Sequence, residues 1–403
     1  MGFLSSFLGS SESIRLSDPS ALERLRLSGR THAGASVDEY SAMALPTVFA
    51  AIGIIADAIA QLPLDVRQKL AGGGSREATE HPAHQMLRAE PNDDMTSFAF
   101  RNTVTGHAVG WGNGYADIER NGRGQAVALW PLLPDRTRPR KDPNTGARDF
   151  LTSVNGRAVA LRPDDVLHIP GFGFDGLRGY CPITLHREAL GLALATQEFG
   201  AKFFGQGGRS GGVIELPPGT TPEAAKLIKK VWTEQEGLEH SHRAKVLPDG
   251  AKYTATAVPP EEAQFLQTRE FQIAEIARIF RVPLHMLQAQ SKSTSWGSGI
   301  EQMSLGFVRY TLAPWIARWE QELNRKLFTP QERLDGFYVK FNVNALLRGD
   351  AKSRAEFYKL AIDASWMEPS EARELEDLDP IPGLNERPRH GAAPGARAGA
   401  RRA

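Results

Sequence analysis

The stretch 261–328 carries the clearest pattern of hydrophobic and polar positions in this chain. Apolar residues recur at helical spacing up to Pro283, and the same spacing returns after Ser298. Between these two segments lies the polar sequence QAQSKSTSWGSG, in which Lys292 is the only charged residue. Ser298 and Glu301 have the spacing of a capping box. The pattern therefore predicts a helix, a polar loop and a second long helix.

Two prolines divide this stretch. Pro283 disfavours helical backbone at Val282, so we expect the first helix to stop there. Pro314 lies inside the second helix and lacks the N–H that would bond the carbonyl of Tyr310. A missing bond of this kind bends a helix, and a kink at Pro314 is therefore expected.

Two other segments have a helical apolar pattern. The Ala-rich segment 47–62 is interrupted by Gly53 and Asp57, which favours a buried packing helix over a membrane span. A helix is also predicted from about Pro182 to Phe204. Its apolar side is formed by Leu192, Ala195, Phe199 and Phe203.

Residues 213–257 have the pattern of a small β-α-β unit, with a strand, a helix from Thr221-Pro222-Glu223 and a hairpin. The helices 182–204 and 261–282 bracket this unit. They could pair as its stalk, each spanning roughly 30–35 Å at about 1.5 Å per residue.

The rest of the chain alternates short helices with strands. Asn121-Gly122, between YADIER and AVALW, is the strongest hairpin signal. More strands are expected before residue 171 and after Gly336, and two short helices from Asp350 and Ser370. Residues 1–35 and the arginine-rich tail after 386 have no sustained period, and the tail is expected to be disordered. The predicted fold class is α+β.

Composition limits the function classes. The chain has 403 residues, enough for two or three domains, and a net charge of +1. That balance argues against a protein that grips nucleic acid with its whole surface. The single cysteine, Cys181, excludes an intrachain disulfide and suits a reducing cytoplasm.

Possible catalytic motifs fail in context. Ser210 lies in a G-x-S-x-G sequence, but a predicted helix precedes it and a strand follows, the reverse of a nucleophile elbow. His81 and His84 lack a third ligand and are expected to be surface or capping residues. The glycines at 171–176 match no nucleotide-binding motif. We therefore expect no enzyme activity, no cofactor and no metal.

Several segments together resemble the HK97-like portal proteins of tailed bacteriophages and gene transfer agents. The resemblance covers residues 42–383, with six motifs in the family's order. They are GNGYADIERNGRGQAVALWPL, DDVLHIPGFGFDGLRGYCPI, EFGAKFFGQGGRSGGVIEL, AQFLQTREFQIAEIARIFRVPLHML, EQMSLGFVRYTLAPWIARWEQELNRKL and GDAKSRAEFYKLAIDASWMEPSEARELEDLDPIPG.

The resemblance implies a ring, usually of twelve subunits, at one vertex of the capsid, assembled in the bacterial cytoplasm. It implies double-stranded DNA in the channel and contacts with the large terminase subunit, the head–tail adaptor and the major capsid protein. The implied regions are an arm (1–30), a wing (31–181 and 301–348), a two-helix stem (182–207 and 259–283), a clip (208–258), a channel loop (284–300), a crown (349–383) and a tail (384–403).

In this interpretation the channel is passive and a separate motor hydrolyses ATP. DNA must slide, so each phosphate contact should be weak, and a polar loop with one lysine meets that requirement. We expect Ser291, Lys292, Ser293 and Ser295 to face the DNA, with Trp296 anchoring the loop. Two alternatives remain open: another structural protein such as an adaptor, and a serine hydrolase that uses Ser210.

Overall fold

The computed structural model describes a mixed helix and strand chain. The described residues are 31–141, 146–173, 175–205, 212–234, 250–255, 262–287, 298–343, 351–376, 378–379 and 381–385. The chain divides after Phe341 into a large first unit and a small second unit. In the part that is described, no helix is long and apolar enough to cross a membrane.

The first unit contains most of the regular structure. Its helices are α1 (Glu39–Ala42), α2 (Pro46–Ala60), α3 (Pro82–Arg88), α4 (Ser97–Trp111), α5 (Pro182–Leu185), α6 (Arg187–Gly205), α7 (Pro222–Glu234), α8 (Glu262–Phe280), α9 (Ser298–Phe307), α10 (Ala313–Leu327) and α11 (Pro330–Leu334). Its strands are β1 (Leu64–Lys69), β2 (Ser75–Glu77), β3 (Asn113–Arg120), β4 (Ala126–Leu132), β5 (Arg138–Lys141), β6 (Arg148–Val154), β7 (Arg157–Leu161), β8 (Val166–Pro170), β9 (Gly212–Glu215), β10 (Lys252–Ala255) and β11 (Phe337–Phe341).

The described strands form four small antiparallel sheets. Their orders are β11-β1-β2, β4-β3-β8, β5-β6-β7 and β10-β9. Two of these sheets join residues far apart in sequence: Leu64 pairs with Phe341, and Asn113 pairs with Pro170. The predicted α+β class is confirmed.

The centre of the first unit is the packing of α2 against α4. The predicted apolar stripe of α2 is buried, with Val48, Ile52, Ile55 and Ile59 each at most 5% exposed. Gly106 and Gly110 of α4 face Ile52, whose side chain lies 4.0 Å and 3.4 Å from their Cβ positions. This confirms the segment as a packing helix.

Asn121-Gly122 does lie in a hairpin, but not as a two-residue turn. The β3–β4 loop runs from Asn121 to Gln125, and the Asn121 side chain accepts hydrogen bonds from the backbone N–H groups of Arg123 and Gln125. The left-handed residue in this loop is Gly124.

The two-residue turn lies at Asn155-Gly156, where both φ angles are positive (50° and 75°), as a type I′ turn requires. This turn joins β6 to β7, with Val154 paired to Arg157.

The helix predicted from Pro182 is interrupted. Pro182 begins α5 as expected, and the Cys181 thiol accepts a hydrogen bond from the N–H of Thr184 at its N-terminus. His186 then leaves helical geometry (φ −105°, ψ 24°), and α6 begins at Arg187. At about 1.5 Å per residue, α6 and α8 each span roughly 28 Å, slightly less than predicted.

The second unit contains two helices, α12 (Ala351–Asp363) and α13 (Pro369–Leu375). Both were predicted, from Asp350 and Ser370. The Tyr358 hydroxyl donates to the Glu376 carboxylate over 2.7 Å, which ties α12 to the residue that follows α13.

Candidate functional site

The two long helices α6 and α8 pack side by side. Gln272 of α8 donates its amide N–H to the Thr196 hydroxyl of α6 over 2.9 Å. Phe265 packs near Phe199 with ring centroids 6.4 Å apart. A Cβ at Gly200 would lie 2.7 Å from the Phe265 ring, so glycine permits this contact. The pairing expected of a stalk is therefore present.

This helix pair keeps large apolar side chains at its surface. Leu192 and Phe199 of α6, and Leu266 and Phe271 of α8, are each about half exposed. Exposed apolar groups on paired helices are typical of surfaces that contact other chains.

The unit between the two helices consists of β9, α7 and β10. β9 and β10 pair antiparallel, from Gly212 with Ala255 to Glu215 with Lys252. Trp232 of α7 stacks on Tyr253 of β10 with centroids 5.0 Å apart. The inserted β-α-β arrangement is thus observed, although the first half of its predicted hairpin and Ser210 lie outside the described residues.

The C-terminal end of α8 is closed by a Schellman motif. The Val282 N–H donates to the Ala277 carbonyl, and the Arg281 N–H donates to the Arg278 carbonyl. Arg281 takes the left-handed conformation, with φ 58°. Pro283, the predicted stop, follows this motif and begins the 3₁₀ turn Leu284–Leu287.

The turn between the two helices that follow the polar loop is bonded to this end of α8. α9 begins at Ser298, and the segment Val308–Leu312 between α9 and α10 is a π-helical turn. The Thr311 hydroxyl in this turn donates to the Arg281 carbonyl over 2.6 Å. Pro314 lies in the first turn of α10, directly after the π turn. The change of hydrogen-bond pattern occurs beside the proline, while a bend at Pro314 stays a prediction.

The predicted DNA-facing residues belong to the polar loop 284–300. Ser291, Lys292, Ser293, Ser295 and Trp296 all lie outside the described residues. Their flanks are described: the 3₁₀ turn ends at Leu287, and α9 starts at Ser298. The hydrogen bond between Thr311 and Arg281, which the sequence did not single out, joins the π turn beyond α9 to the end of α8.

A buried polar clamp holds the segment that leads into α5 and α6. The Asn113 amide donates to the Gly179 carbonyl and accepts from the Gly179 N–H, each over 2.8 Å. Asn113 Oδ1 also lies 3.0 Å from His168 Nε2. An amide oxygen can only accept, so His168 Nε2 is the donor. Burial, reinforced by Lys326, lowers the pKa of His168 to about 3, so the ring is neutral.

Three glycines let backbone pack on backbone at this clamp. Gly112 ends α4 with φ 79°, and its carbonyl accepts from the Gly171 N–H over 2.8 Å. A Cβ on Gly112 would lie 2.1 Å from the Tyr180 carbonyl oxygen, and one on Gly179 would lie 2.0 Å from the Gly112 carbonyl oxygen. Within the glycines at 171–176, Gly171 and Gly173 also pack on backbone, since a Cβ on Gly173 would lie 2.0 Å from the Arg178 carbonyl oxygen.

Stability should fall between pH 7 and pH 5. Burial also lowers the pKa of His107, to about 4, although Asp135 opposes this shift. His107 and His168 stay neutral when folded but bind protons below their ordinary pKa of about 6.5 when unfolded. The unfolded state then binds more protons, so each histidine costs about 2 kcal/mol of unfolding free energy at pH 5.

Urea unfolding at pH 7 and pH 5 measures this loss. His107→Phe removes one titrating ring of similar shape and should roughly halve it. An unfolding free energy that is the same at both pH values in the wild type would contradict the assignment.

The expectation for the two N-terminal histidines is half correct. His81 does cap a helix, because its Nδ1 accepts from the Ala83 N–H at the start of α3. His84, expected at the surface, is only 8% exposed and lies 3.6 Å from the Glu77 carboxylate. A helix that packs on β1 turns this position inward. Among the described residues, no cluster of three His, Cys, Asp or Glu could hold a metal ion.

Comparison with known proteins gives a consistent result. The family model for phage portal proteins matches residues 46–377. The chain is 36% identical to a probable portal protein of Streptomyces phage phiC31 over 366 residues, 88% of this chain and 79% of that protein. It is 31% identical to the portal protein of Enterobacteria phage HK97 over 361 residues, 86% of this chain and 82% of that protein.

The fold is also shared with a solved structure, the neck of an empty gene transfer agent particle determined with C6 symmetry. The TM-score is 0.59 at 23% identity, covering 88% of this chain and 96% of that one. The family match spans the α2–α4 core, both long helices, the inserted unit and the first part of the second unit. This chain is a member of the phage portal protein family.

Proposed function

We propose that copies of this chain close into a ring whose channel conducts double-stranded DNA into and out of a capsid. The observation that carries the proposal is the paired helices α6 and α8, which bracket a small β-α-β unit and lead into a polar loop. Family membership supports the assignment, and the related neck has cyclic symmetry. The expected number of subunits is twelve.

The regions take the following roles in this proposal. The two long helices form the stem (182–207 and 259–283), and the inserted unit is the clip (208–258) that contacts the large terminase subunit and later the head–tail adaptor. The wing (31–181 and 301–348) surrounds the stem, and the crown (349–383) faces the capsid interior and the major capsid protein. The ring then occupies one vertex of the virion.

The proposed role is that of a conduit rather than an enzyme. The buried His168 of the clamp is neutral and donates to Asn113. Burial and the nearby Glu39 raise the pKa of the Cys181 thiol to about 11, so it stays protonated. Energy for DNA movement would come from a separate ATPase. Particles with Ser210→Ala should package DNA normally, and a loss of function there would favour the hydrolase alternative.

Negative-stain imaging and native mass spectrometry of the purified chain test the ring directly. We expect closed rings of about a dozen copies with a central hole. A chain that stays monomeric in assembled particles would overturn the proposal. The alternative, an adaptor, would be expected to lack a pair of long helices that bracket an inserted unit.

Lys292→Glu should impair DNA packaging while leaving rings intact. Each ring would then present many carboxylates to the phosphates where it now presents ammonium groups, and we expect about tenfold fewer DNA-filled particles. The measurement is the ratio of filled to empty particles, with Lys141→Glu, an exposed lysine of β5, as the matched control. Equal packaging by both variants would remove the support for the loop 284–300 as the channel lining.

A further inference from the structure

A cleft of about 560 Å³ lies between the C-terminal end of α8, the start of α10 and the segment before α5. We call it the arginine cleft and define it by Phe172, Leu185, Arg278, Arg281, Trp315 and Arg318, which all line it. Glu275 is the one carboxylate among the described residues that line it. The cleft thus combines three guanidinium groups with apolar walls.

The positive charge of this cleft is not balanced within the described chain. Arg278 has a carboxylate oxygen of Glu275 at 3.9 Å. Arg281 and Arg318 form no ion pair with any described residue. Burial lowers the pKa of Arg318, and the charge of Arg281 lowers it further. Two arginines that repel each other across a cleft favour a negatively charged group between them.

The backbone conformation at Arg281 also indicates that its side chain makes a contact. This residue holds the left-handed position of the Schellman motif, where glycine is usual because a Cβ costs roughly 1 kcal/mol. The Schellman motif uses only the backbone N–H of this residue as a donor, and every residue type except proline has one. A large charged side chain at such a position is therefore best explained by a contact that it makes.

The apolar walls distinguish a protein ligand from DNA. Phe172 is 75% exposed and Leu185 is 44% exposed at the cleft. The guanidinium of Arg318 lies 5.0 Å from the centre of the Trp315 ring. Exposed aromatic residues beside arginines are typical of the centres of protein–protein interfaces. Phosphates of double-stranded DNA would use the arginines but leave the apolar walls uncovered.

We propose that the arginine cleft receives an acidic and partly apolar segment of the neighbouring copy in the ring. This inference rests on the ring proposed above and adds a specific contact to it. In a ring, one face of each copy contacts a different face of the next copy. The cleft of one copy would therefore meet an acidic surface of its neighbour and not the neighbour's own cleft. The contact lies at the C-terminal end of α8, where the Arg281 carbonyl accepts from the Thr311 hydroxyl.

Arg281→Gly separates folding from assembly. The variant relieves the left-handed backbone, so the isolated subunit should melt at the same or a higher temperature than the wild type. It removes one cleft charge, so the concentration at which half of the rings dissociate should rise about tenfold. Arg281→Glu should raise it further, while Arg157→Glu, an exposed arginine at the start of β7, should leave it unchanged.

A photoreactive residue identifies what occupies the cleft. Benzoylphenylalanine at position 281, in purified rings and in DNA-filled particles, should link two copies of the chain through a peptide that contains Asp or Glu. Cross-linking to DNA alone, or normal rings from Arg281→Glu with lost DNA retention, would overturn the proposal in favour of a phosphate site. If the wild type forms no rings, the proposed function fails; if wild-type and Arg281→Glu rings are equally stable, only the cleft contact fails.

Discussion

Gly112→Ala should destabilise the protein by about 4 kcal/mol, enough to leave much of it unfolded at 37 °C. Two costs combine at this position. The backbone is left-handed, with φ 79°, and the new Cβ would lie 2.1 Å from the Tyr180 carbonyl oxygen and 2.4 Å from its carbon. These atoms are backbone and belong to the segment that the Asn113 clamp holds, so they cannot move away cheaply. Thermal or urea unfolding of the purified subunit measures the effect.

Gly124→Ala is the matched control for this prediction. Gly124 has the same φ of 79°, yet no atom lies within 4 Å of the Cβ position. Its cost should be that of the left-handed backbone alone, about 1 kcal/mol. The difference between the two variants isolates the close contact at the clamp. If both variants lost the same unfolding free energy, the segment before α5 would have to move aside for the new methyl group. The three glycines would then not be needed for packing.

The pair of long helices around an inserted unit could be predicted because each part has its own local signal. The helices around 182–205 and 262–280 have apolar residues at helical spacing, and the glycines and prolines between them mark an insert. The pairing of α6 with α8 follows from geometry, since two helices that leave and return to the same domain must lie close together. The family resemblance came separately, from six sequence motifs in the family's order, and the relatives confirm it.

The details that escaped prediction depend on tertiary contacts. The apolar pattern continues across His186, so nothing in it marks the break between α5 and α6. Asn155-Gly156 and Asn121-Gly122 are identical dipeptides, and only the pairing of the strands decides which one makes the two-residue turn. His84 resembles a surface histidine until α3 packs on β1.

The DNA-facing role of the polar loop stays a prediction, because its residues lie outside the described part of the chain. Lys292 and its neighbouring serines stand out because they are polar between two apolar helices. Arg281 and Thr311 do not, because a left-handed arginine and a hydroxyl bonded to its carbonyl have no sequence signature. The arginine cleft needs residues from four separate segments, so only the folded chain reveals it.

Trp319→Ala should cost about 4 kcal/mol of unfolding free energy, comparable to the loss at Gly112. Trp319 of α10 is fully buried, packs edge-on against Phe100 of α4 with centroids 6.2 Å apart, and donates its indole N–H to the Thr105 hydroxyl over 3.2 Å. The variant leaves a large cavity between α4 and α10. Because α10 directly follows the π turn and Pro314, loosening it should also reduce ring formation, which native mass spectrometry measures at a temperature where the variant stays folded.

A double-mutant cycle separates the packing of Trp319 from its hydrogen bond. Trp319→Phe keeps much of the ring but leaves the fully buried Thr105 hydroxyl without the indole donor, so it should cost about 2 kcal/mol. Thr105→Val removes the acceptor and leaves the buried indole N–H of Trp319 without a hydrogen-bond partner. Combining the two removes both polar partners, so the double variant should be less destabilised than the sum of the single ones by about 1 kcal/mol or more. Strict additivity would mean that the hydrogen bond adds nothing, and that Trp319 holds α10 against α4 through the volume of its ring alone.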